Sequence, residues 1–415
     1  MANPPDLLDL HFHGARVARI RRTRDRRRVE LSWDDPLDLR GVVVTEGFAV
    51  GPGVTPSAEA VSNWLGGYAP EGNQRQAMAD ARGIAPDDLF GLLREFGGSV
   101  AGAVSIRAPG EPESARPRHQ PIESRVIGRR LRQAVERGDL GIQDDSRSMV
   151  PGFQPKLLLA RLNGRWREPR GRAHSTHILK PRLDSRPQAV HNELYSLTLA
   201  ARLGLAGGGA EISRFGDQTA LVLPRFDRTV DGEHVGLIHQ EDFAQALSLN
   251  WLDAESKFQD PRSPRRLDRP SAYRIAEMLG SLPRSGDILP AWLRQFVFRL
   301  LIGDNDAHAK NFALVHDAET RLADVYDAVP NLYQEDRVSY DLALAVDGEF
   351  DWRRVTAKRI RGEAASWGLM TDRDVAAIVG DTVSSFASAV AEVAPPRGST
   401  PGLRKHLLSN AQRLG

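Results

Sequence analysis

The first 107 residues combine two patterns of hydrophobic positions. Alternating apolar and polar residues predict strands at Leu7–His13 and Val29–Trp33, with Gly14 between them as a turn signal. Apolar residues at helical spacing follow, and they predict the helices Ala58–Leu65, Asn73–Arg82 and Asp87–Phe96. Residues 1–107 are therefore expected to form a mixed α/β unit.

The middle of the chain changes character twice. Residues 108–121 are rich in Pro, Arg and Glu and nearly free of apolar residues, which predicts a linker or mobile loop. Residues 122–228 return to short apolar runs typical of strands. These runs predict strands at Lys156–Leu162, His177–Leu179 and Ala220–Leu223, and a helix at Gln188–Leu203.

Residues 229–415 show helical periodicity almost to the end. The clearest predicted helices are Gln240–Leu249, Ser271–Leu279, Leu293–Ile302 and Asp372–Val393. A strand-rich half followed by a helical half predicts an α+β fold with a cleft between two lobes.

Composition narrows the class of protein. Hydrophobic residues make up 41% and charged residues 27% of the chain, which excludes wholesale disorder. The absence of cysteine excludes a disulfide framework and a thiolate zinc site. No apolar run approaches the roughly 20 residues that span a bilayer, and residues 1–10 lack the pattern of a secretion signal. The sequence therefore predicts a cytoplasmic protein without a membrane partner.

The net charge of +2 neither requires nor excludes nucleic acid, but the basic residues are unevenly spread. Eight arginines fall within Arg16–Arg28, and five lysines or arginines fall within Arg353–Arg361. Both runs are interpreted as solvated surface or, alternatively, as patches that contact phosphates. Only six lysines occur beside 50 arginines. A retained lysine therefore indicates a need for its compact point charge.

The densest polar cluster follows the predicted helix Leu293–Ile302. In LLIGDNDAHAKNF (300–312), Asp306 precedes Asn311 by five residues, the spacing of a kinase catalytic loop. In such loops the acid accepts the proton of the substrate hydroxyl and the asparagine binds a metal ion. Asp327 follows 16 residues later and suits a second oxygen ligand for Mg²⁺. A polar loop that merely caps a helix is the alternative.

Three further segments could contact a nucleotide. The turn at 151–156 (PGFQPK) precedes a strand and could cradle phosphates through its N–H groups, although an ordinary turn fits the same pattern. Lys180 ends an apolar strand, where it could reach phosphates and pair with Glu193, or lie on the surface. The strand before Pro224 leads into a segment whose backbone could bond a base, and Pro224 itself lacks an N–H donor.

Taken in order, these segments resemble the HipA family of kinase toxins. The matching stretches are PEGNQRQAMADARGIAPDDLFGLLREFGGSVAGAV (70–104), PGFQPK (151–156), STHILKP (175–181), NELYSLTLAARLGL (192–205), LPRFDR (223–228), HQEDFAQAL (239–247), LIGDNDAHAKNF (301–312) and VYDAVP (325–330). The resemblance implies an ATP- and Mg²⁺-dependent serine/threonine kinase with a two-lobed, protein-kinase-like fold. Residues 1–107 would be an N-terminal subdomain, 122–228 the nucleotide-binding part of the strand-rich lobe, and 229–415 an all-helical C-terminal lobe.

The resemblance also assigns roles by position. Asp306 would be the catalytic base, Asn311 and Asp327 would bind Mg²⁺, and Lys180 would contact the ATP phosphates. Asn311 would also contact ATP. The other ATP-binding positions would be Pro151, Gly152, Phe153, Gln154, Lys156, Pro224, Arg225, Phe226, His308, Lys310 and Tyr326. Some members autophosphorylate a serine just before the phosphate loop. Met149 occupies that position here, so the modification has either shifted to Ser146 or Ser148, with Ser148 preferred, or been lost.

Partners follow from the same resemblance. Known members phosphorylate an aminoacyl-tRNA synthetase, are neutralised by a small helix-turn-helix antitoxin of the HipB type, and reach operator DNA through the antitoxin complex. Two other functions stay open on the residues alone. One is a catalytically silent corepressor scaffold, and the other is a kinase of small molecules.

Overall fold

The computed structural model of the chain describes residues 6–35, 42–110, 116–138, 147–283, 285–334 and 339–415. The chain folds into two compact units. Unit 1 comprises Met1–Pro181, Ser213–Ala254 and Val315–Ala318, and unit 2 comprises Arg182–Ile212, Glu255–Leu314 and Glu319–Gly415. Ser146, one of the candidate modification sites, lies outside the described residues.

Unit 1 begins with a four-stranded antiparallel sheet in the order β3-β2-β1-β4. Along β1, every second side chain is buried, as expected for a strand with one face on a core. Three short helices contribute Trp64, Met78, Phe90 and Phe96 to that core. The elements are β1 (Leu7–Phe12), β2 (Ala15–Arg22), β3 (Val29–Trp33), α1 (Ala58–Gly66), α2 (Gly72–Asp80), α3 (Leu89–Phe96) and β4 (Val104–Arg107).

A second sheet of unit 1 has six strands in the order β5-β7-β6-β8-β10-β9. Helix α4 packs Ile127 and Leu131 against apolar side chains of its central strands. The elements are β5 (Arg118–Pro121), α4 (Ser124–Arg137), β6 (Leu157–Leu162), β7 (Arg165–Arg170), β8 (His177–Pro181), β9 (Glu211–Phe215) and β10 (Gln218–Pro224). They are followed by β11 (Arg228–Asp231), β12 (His234–Leu237), β13 (His239–Asp242) and the short α6 (Phe243–Ala246).

Unit 2 is mainly helical, and its long helix α8 packs against α7, α10 and α11. The helices are α5 (Ala189–Arg202), α7 (Ala272–Gly280), α8 (Ser285–Ile302), α9 (Ala357–Ser366), α10 (Asp372–Glu392) and α11 (Leu403–Leu414). The remaining strands among the residues that the structure describes are β14 (Ala313–His316), β15 (Thr320–Leu322), β16 (Asp341–Val346) and β17 (Glu349–Asp351). Sheets and helices together agree with the α+β fold predicted from the sequence.

Three sequence expectations differ from the structure. Arg118–Pro121, within the expected linker, forms edge strand β5, because pairing with β7 requires backbone hydrogen bonds rather than apolar side chains. The expected helix Gln240–Leu249 is strand β13 followed by the single turn α6, which starts where Asp242 and Gln245 form a capping box. The C-terminal half is not all-helical, because β16 and β17 form an antiparallel pair within it.

Helix α10 is long and apolar enough to cross a membrane by length and composition alone. It packs against α8, α9 and α11, as a core helix does. A core helix passes the same test of length and composition, so this helix is a weak sign of membrane insertion.

Several arginines of the basic run at residues 16–28 are engaged with acids of the same unit. Arg22 makes a two-pronged contact with Asp88, with Nη2 2.9 Å from Oδ2, and its guanidinium lies over the ring of Phe90. Arg16 donates to Asp34 at 2.8 Å. These contacts favour the interpretation of this run as ordinary protein surface; its contact with DNA stays untested.

A buried ionic cluster joins the two sheets of unit 1. Asp227 Oδ2 accepts hydrogen bonds from Arg225 Nη2 at 2.7 Å and Arg228 Nη1 at 2.9 Å. It also accepts the Gly102 N–H at 2.7 Å. The two guanidinium groups hold the pKa of this buried carboxyl well below its usual range. Removing one partner would leave uncompensated buried charge, so the cluster fixes residues 100–102 against the second sheet.

Two histidines near this cluster are held in the neutral form. His239 donates from Nε2 to Val44 O at 2.8 Å and accepts the Ala103 N–H at Nδ1. Burial lowers the pKa of His239 to about 3. Burial and the nearby Arg228 lower the pKa of His174 to about 3 as well.

We predict that acidification destabilises unit 1 from pH 6.5 downward. The unfolded histidines gain protons below their ordinary pKa of 6.5, whereas the folded ones stay neutral until about pH 3. Each histidine therefore lowers the free energy of unfolding by up to about 1.4 kcal/mol per pH unit within this window. Urea unfolding between pH 7 and 5.5 measures the slope.

The variant His239→Gln should show a shallower slope, and the exposed His234→Gln serves as its control. Equal slopes for the wild type and His239→Gln would contradict the assignment of a neutral buried imidazole.

Candidate active site

The polar loop predicted to carry catalysis lies directly after α8 in unit 2. Helix α8 ends at Ile302, and Gly303 turns the chain with a φ of +76°. A Cβ at this position would lie 2.8 Å from the ring of Tyr333, so glycine is required by both backbone and space. The loop continues to a single 3₁₀ turn at Ala309–Asn311 and then enters β14.

Arg299, on the last turn of α8, is the centre of this site. Its side chain is only 1% exposed and forms an ion pair with Asp304 at 2.7 Å. The same guanidinium donates to three backbone carbonyls, Asn311 O at 2.8 Å, Tyr326 O at 2.6 Å and Asp327 O at 2.8 Å. One rigid fork therefore fixes the loop of Asn311 next to the loop of Asp327.

Asp304 links the same cation to the start of the loop. Its Oδ2 pairs with Arg299, and its Oδ1 accepts the Asp306 N–H and the Asn331 amide, each at 3.2 Å. Burial raises the pKa of Asp304 to about 6 despite the opposing effect of Arg299. Its contacts place Asp304 as a support for the loop rather than as a group facing a substrate.

The predicted base and metal ligand of the catalytic loop are joined through its backbone. Asn311 Nδ2 donates to Asp306 O at 3.0 Å. The His308 N–H also donates to Asp306 O, at 2.8 Å, and His308 packs edge-on against Phe258. Asp306 and Asn311 are thus held in one compact turn.

The second loop reaches the first through Tyr326. Its hydroxyl donates to Lys310 O at 2.8 Å, while its own carbonyl accepts from Arg299. Asp327 has a φ of +50°, a left-handed conformation that is costly for aspartate and that is held here by the hydrogen bond of its carbonyl to Arg299. Strained backbone of this kind is concentrated at functional sites.

The chemistry of the donor set suits a small hard cation. With its Nδ2 bound to Asp306 O, Asn311 keeps its amide oxygen for another partner. An amide oxygen and one carboxylate, from Asn311 and Asp327, are the few protein ligands that Mg²⁺ takes when phosphate and water supply the rest. Within the described residues no group of three or more His, Asp or Glu side chains forms a larger metal cluster.

A pocket of about 380 Å³ opens beside Asp306 within unit 2. Its walls include the apolar side chains of Phe258 and Leu342 and the polar groups of Asn331 and Asp341. A hydroxyl-bearing side chain placed in it would lie next to Asp306.

The predicted phosphate loop, residues 151–156, lies in unit 1. Lys156 is 5% exposed and turns back so that Nζ donates to Pro151 O at 3.2 Å. Gly152 has a φ of +114°, and a Cβ there would lie 2.7 Å from Lys156 Nζ. Phe153, by contrast, is half exposed. The lysine therefore closes the turn from inside, and Gly152 is the residue that leaves room for it.

The other predicted nucleotide contacts also lie in unit 1. Lys180 is in β8 and is 7% exposed, so it does not extend into bulk water. The Arg225 N–H is taken by Thr176 O at 2.9 Å, and its guanidinium is spent on Ser175, Asp227 and Val100 O. Arg225 is thus a structural residue by its contacts. Roles for Lys180, Pro224 and Phe226 stay predictions, as does the pair of Lys180 with Glu193.

Ser148, the candidate for modification, is 7% exposed and forms an isolated bridge with Ser99. Met149 beside it is fully buried in the core of the first sheet. Kinase access to Ser148 would require this segment to leave the core.

Sequence reasoning missed Arg299 and Asp304. Arg299 was assigned to the apolar helix, and Asp304 was only one of several polar residues after it. The sequence shows only an arginine within an apolar helix, one turn before the polar loop; its burial and its acceptors are seen in the structure alone.

Comparison with known proteins decides the family. Residues 148–390 match the HipA-like C-terminal domain, and residues 8–107 match the HipA N-terminal domain. The chain belongs to the HipA family. The predictions of this family and of its α+β fold are confirmed.

Two relatives illustrate the match. A protein of Sinorhizobium fredii named Putative kinase Y4mE is 32% identical over 66% of this chain and 65% of that protein. The serine/threonine-protein kinase toxin HipA of Shewanella oneidensis is 28% identical over 82% of this chain and 81% of that protein. This chain's alignment therefore spans just under two thirds of the first relative's length.

A solved structure shows the same fold. It is the HipA, HipB and operator DNA complex of the Shewanella oneidensis MR-1 toxin–antitoxin system, with a TM-score of 0.82. The identity is 22%, and the match covers 98% of this chain and 97% of that chain.

We predict that Arg299→Lys folds but loses kinase activity by about 100-fold. A single ammonium cannot bond Asp304 and three carbonyls at once, so the two loops shift relative to each other, and displacements near 1 Å carry costs of this size. Phosphate transfer and thermal unfolding would be measured on the same preparation.

Arg294→Lys, an exposed position on the same helix, is the matched control. Full activity in Arg299→Lys would show that the guanidinium does not hold the loops in register.

Proposed function

We propose that this chain is an ATP- and Mg²⁺-dependent serine/threonine kinase that acts as the toxin of a toxin–antitoxin pair. The observation that supports it best is the single buried guanidinium of Arg299, which gathers the loops of Asn311 and Asp327 beside Asp306. A polar loop that merely caps a helix has no need for this buried arginine or for a strained Asp327.

In the proposed reaction, the substrate serine enters the pocket beside Asp306. Its Oγ bonds to the γ-phosphorus of ATP as the bond from that phosphorus to the β-phosphate bridging oxygen breaks and ADP leaves. Asp306 orients the hydroxyl and accepts its proton. Most of the acceleration would come from positioning and from fixed charges.

The remaining residues would hold the nucleotide. Asn311 and Asp327 would bind Mg²⁺, which when bound neutralises charge on the phosphates. Lys180 would contact the phosphates, and residues 151–156 would cover them. Phe226 is the candidate backbone donor to the base, because Pro224 lacks an N–H and the Arg225 N–H is already bonded to Thr176 O.

The proposed partners are a HipB-like helix-turn-helix antitoxin and a protein substrate. The related fold seen with HipB and operator DNA supports the antitoxin and a DNA contact made through that complex. An aminoacyl-tRNA synthetase in the cytoplasm is the proposed substrate, with arrest of translation as the consequence.

We predict that Asp306→Gln removes phosphate transfer while the fold is retained. Loss of a positioned general base costs roughly 10²- to 10⁴-fold in rate. Phosphoserine peptides from cells that express the wild type would be compared with those from cells that express the variant.

Asp184→Asn, at a fully exposed carboxylate, is the control. If purified Asp306→Gln still transferred labelled phosphate to a substrate of the wild type, Asp306 would not be the base. If the wild type bound no ATP with Mg²⁺ by calorimetry, a silent scaffold would replace the kinase.

We also predict that Asp327→Asn raises the Mg²⁺ concentration for half-maximal activity by about tenfold or more. A neutral amide loses the charge-assisted part of the contact, and about 1.4 kcal/mol corresponds to tenfold. Titration of Mg²⁺ into chelator-treated protein measures the effect, with the exposed Asp317→Asn as control. An unchanged Mg²⁺ requirement would remove Asp327 from the proposed ligand set.

A further inference from the structure

The loop at residues 151–156 is held at several points by the N-terminal part of unit 1. Met149 and Val150, just before it, are buried in the core of the first sheet. The Glu71 N–H donates to Gly152 O at 3.3 Å, and Gln74 Nε2 approaches Gln154 O at 3.5 Å. The loop is thus attached to the start of α2 through its own backbone.

The closest approach is between Gly72 and Phe153. Gly72 is the first residue of α2 and has a φ of +51°. A Cβ on Gly72 would overlap the ring of Phe153. The ring therefore lies directly on the glycine, although about half of the Phe153 side chain is exposed to solvent.

Because Gly72 has no side chain, the Phe153 ring can lie against its backbone. The residues on either side of Phe153 are also held, since Gly152 O accepts from the Glu71 N–H and Gln154 O accepts from Gln74 Nε2. On the inner side, Lys156 closes the turn by bonding Pro151 O. The loop is thus fixed from outside by α2 and from inside by its own lysine.

We propose that Gly72 and Phe153 form a latch through which the N-terminal subdomain positions the phosphate loop for ATP. Gly72 is then a positioning residue for the kinase, far along the chain from every predicted catalytic group. The latch rests on the proposed function in so far as residues 151–156 cover the ATP phosphates. The contact itself does not depend on that function.

The chain supplies a matched control for this latch. Gly83, just after α2, also has a left-handed φ of +62°, but a Cβ there meets nothing within 4 Å. Gly72→Ala and Gly83→Ala therefore introduce similar backbone strain, and only Gly72→Ala displaces the Phe153 ring.

The first experiment needs no nucleotide. Hydrogen exchange of the amides at residues 150–156 is measured in the wild type, Gly72→Ala and Gly83→Ala. Faster exchange of this loop in Gly72→Ala alone, at equal thermal stability of the two variants, is the expected result. Equal exchange in both variants would overturn the latch, whatever the fate of the kinase.

The second experiment tests the consequence for ATP. We expect Gly72→Ala to weaken Mg²⁺-ATP binding by about tenfold relative to Gly83→Ala, because the added methyl group overpacks the contact with Phe153 and the exposed loop moves away. The loss should appear mainly in the KM for ATP rather than in kcat.

A double-mutant cycle separates the latch from a direct role of Phe153 on the nucleotide. In a Phe153→Ala background the ring is absent, so Gly72→Ala should have no more effect than Gly83→Ala. Additive effects of Gly72→Ala and Phe153→Ala would overturn the latch. Absence of ATP binding by the wild type would instead refute the proposed function and leave the exchange measurement as the test of the contact.

Discussion

The candidate site depends on one buried cation. Arg299 is almost fully removed from water, and a charge in that position needs a counter-charge and acceptors, which both of its terminal nitrogens have, whereas its Nε has no hydrogen-bond partner. Asp304 supplies the counter-charge, and the carbonyls of Asn311, Tyr326 and Asp327 take further donors. The demand for satisfied donors therefore forces two loops, separated along the chain, to meet at the end of α8.

Unit 1 also contains a buried ionic cluster, with two arginines and one aspartate. There a single carboxylate, Asp227, is shared by two buried arginines, Arg225 and Arg228, which also bond the backbone at Val100 and Gly102. The N-terminal subdomain is thus held by buried ion pairs, and breaking one of them would leave an uncompensated buried charge. The segment before the phosphate loop packs into that same subdomain through Met149 and Val150.

These buried contacts bear on the roles expected for Arg225 and Ser148. Arg225, expected to line the adenine site, spends its guanidinium on the cluster of unit 1, and only the backbone around it is left for a nucleotide. Ser148, the candidate for autophosphorylation, is buried and bridged to Ser99. Met149, at the position where the family resemblance led us to expect a serine, packs in the apolar core and offers no hydroxyl.

The sequence by itself determined the elements with strong patterns and the local chemistry. The strands around Leu7, Val29 and Leu157 and the helices before Gly97 and Gly303 follow from periodicity and from their end signals. The spacing of Asp306 and Asn311 suggested a catalytic loop, and the hydrogen bonds that join the two residues are seen only in the structure. Only the tertiary structure decided the features that depend on residues far apart in the chain, namely strand pairing and the roles of buried arginines. Strand β5 has no apolar pattern in the sequence because it pairs with β7 through its backbone. Strand β13 forms where a helix was expected because it is hydrogen-bonded within a three-stranded sheet. The roles of Arg299 and Arg225 could not be read from the sequence, because an arginine becomes structural only when folding removes its water and supplies its acceptors.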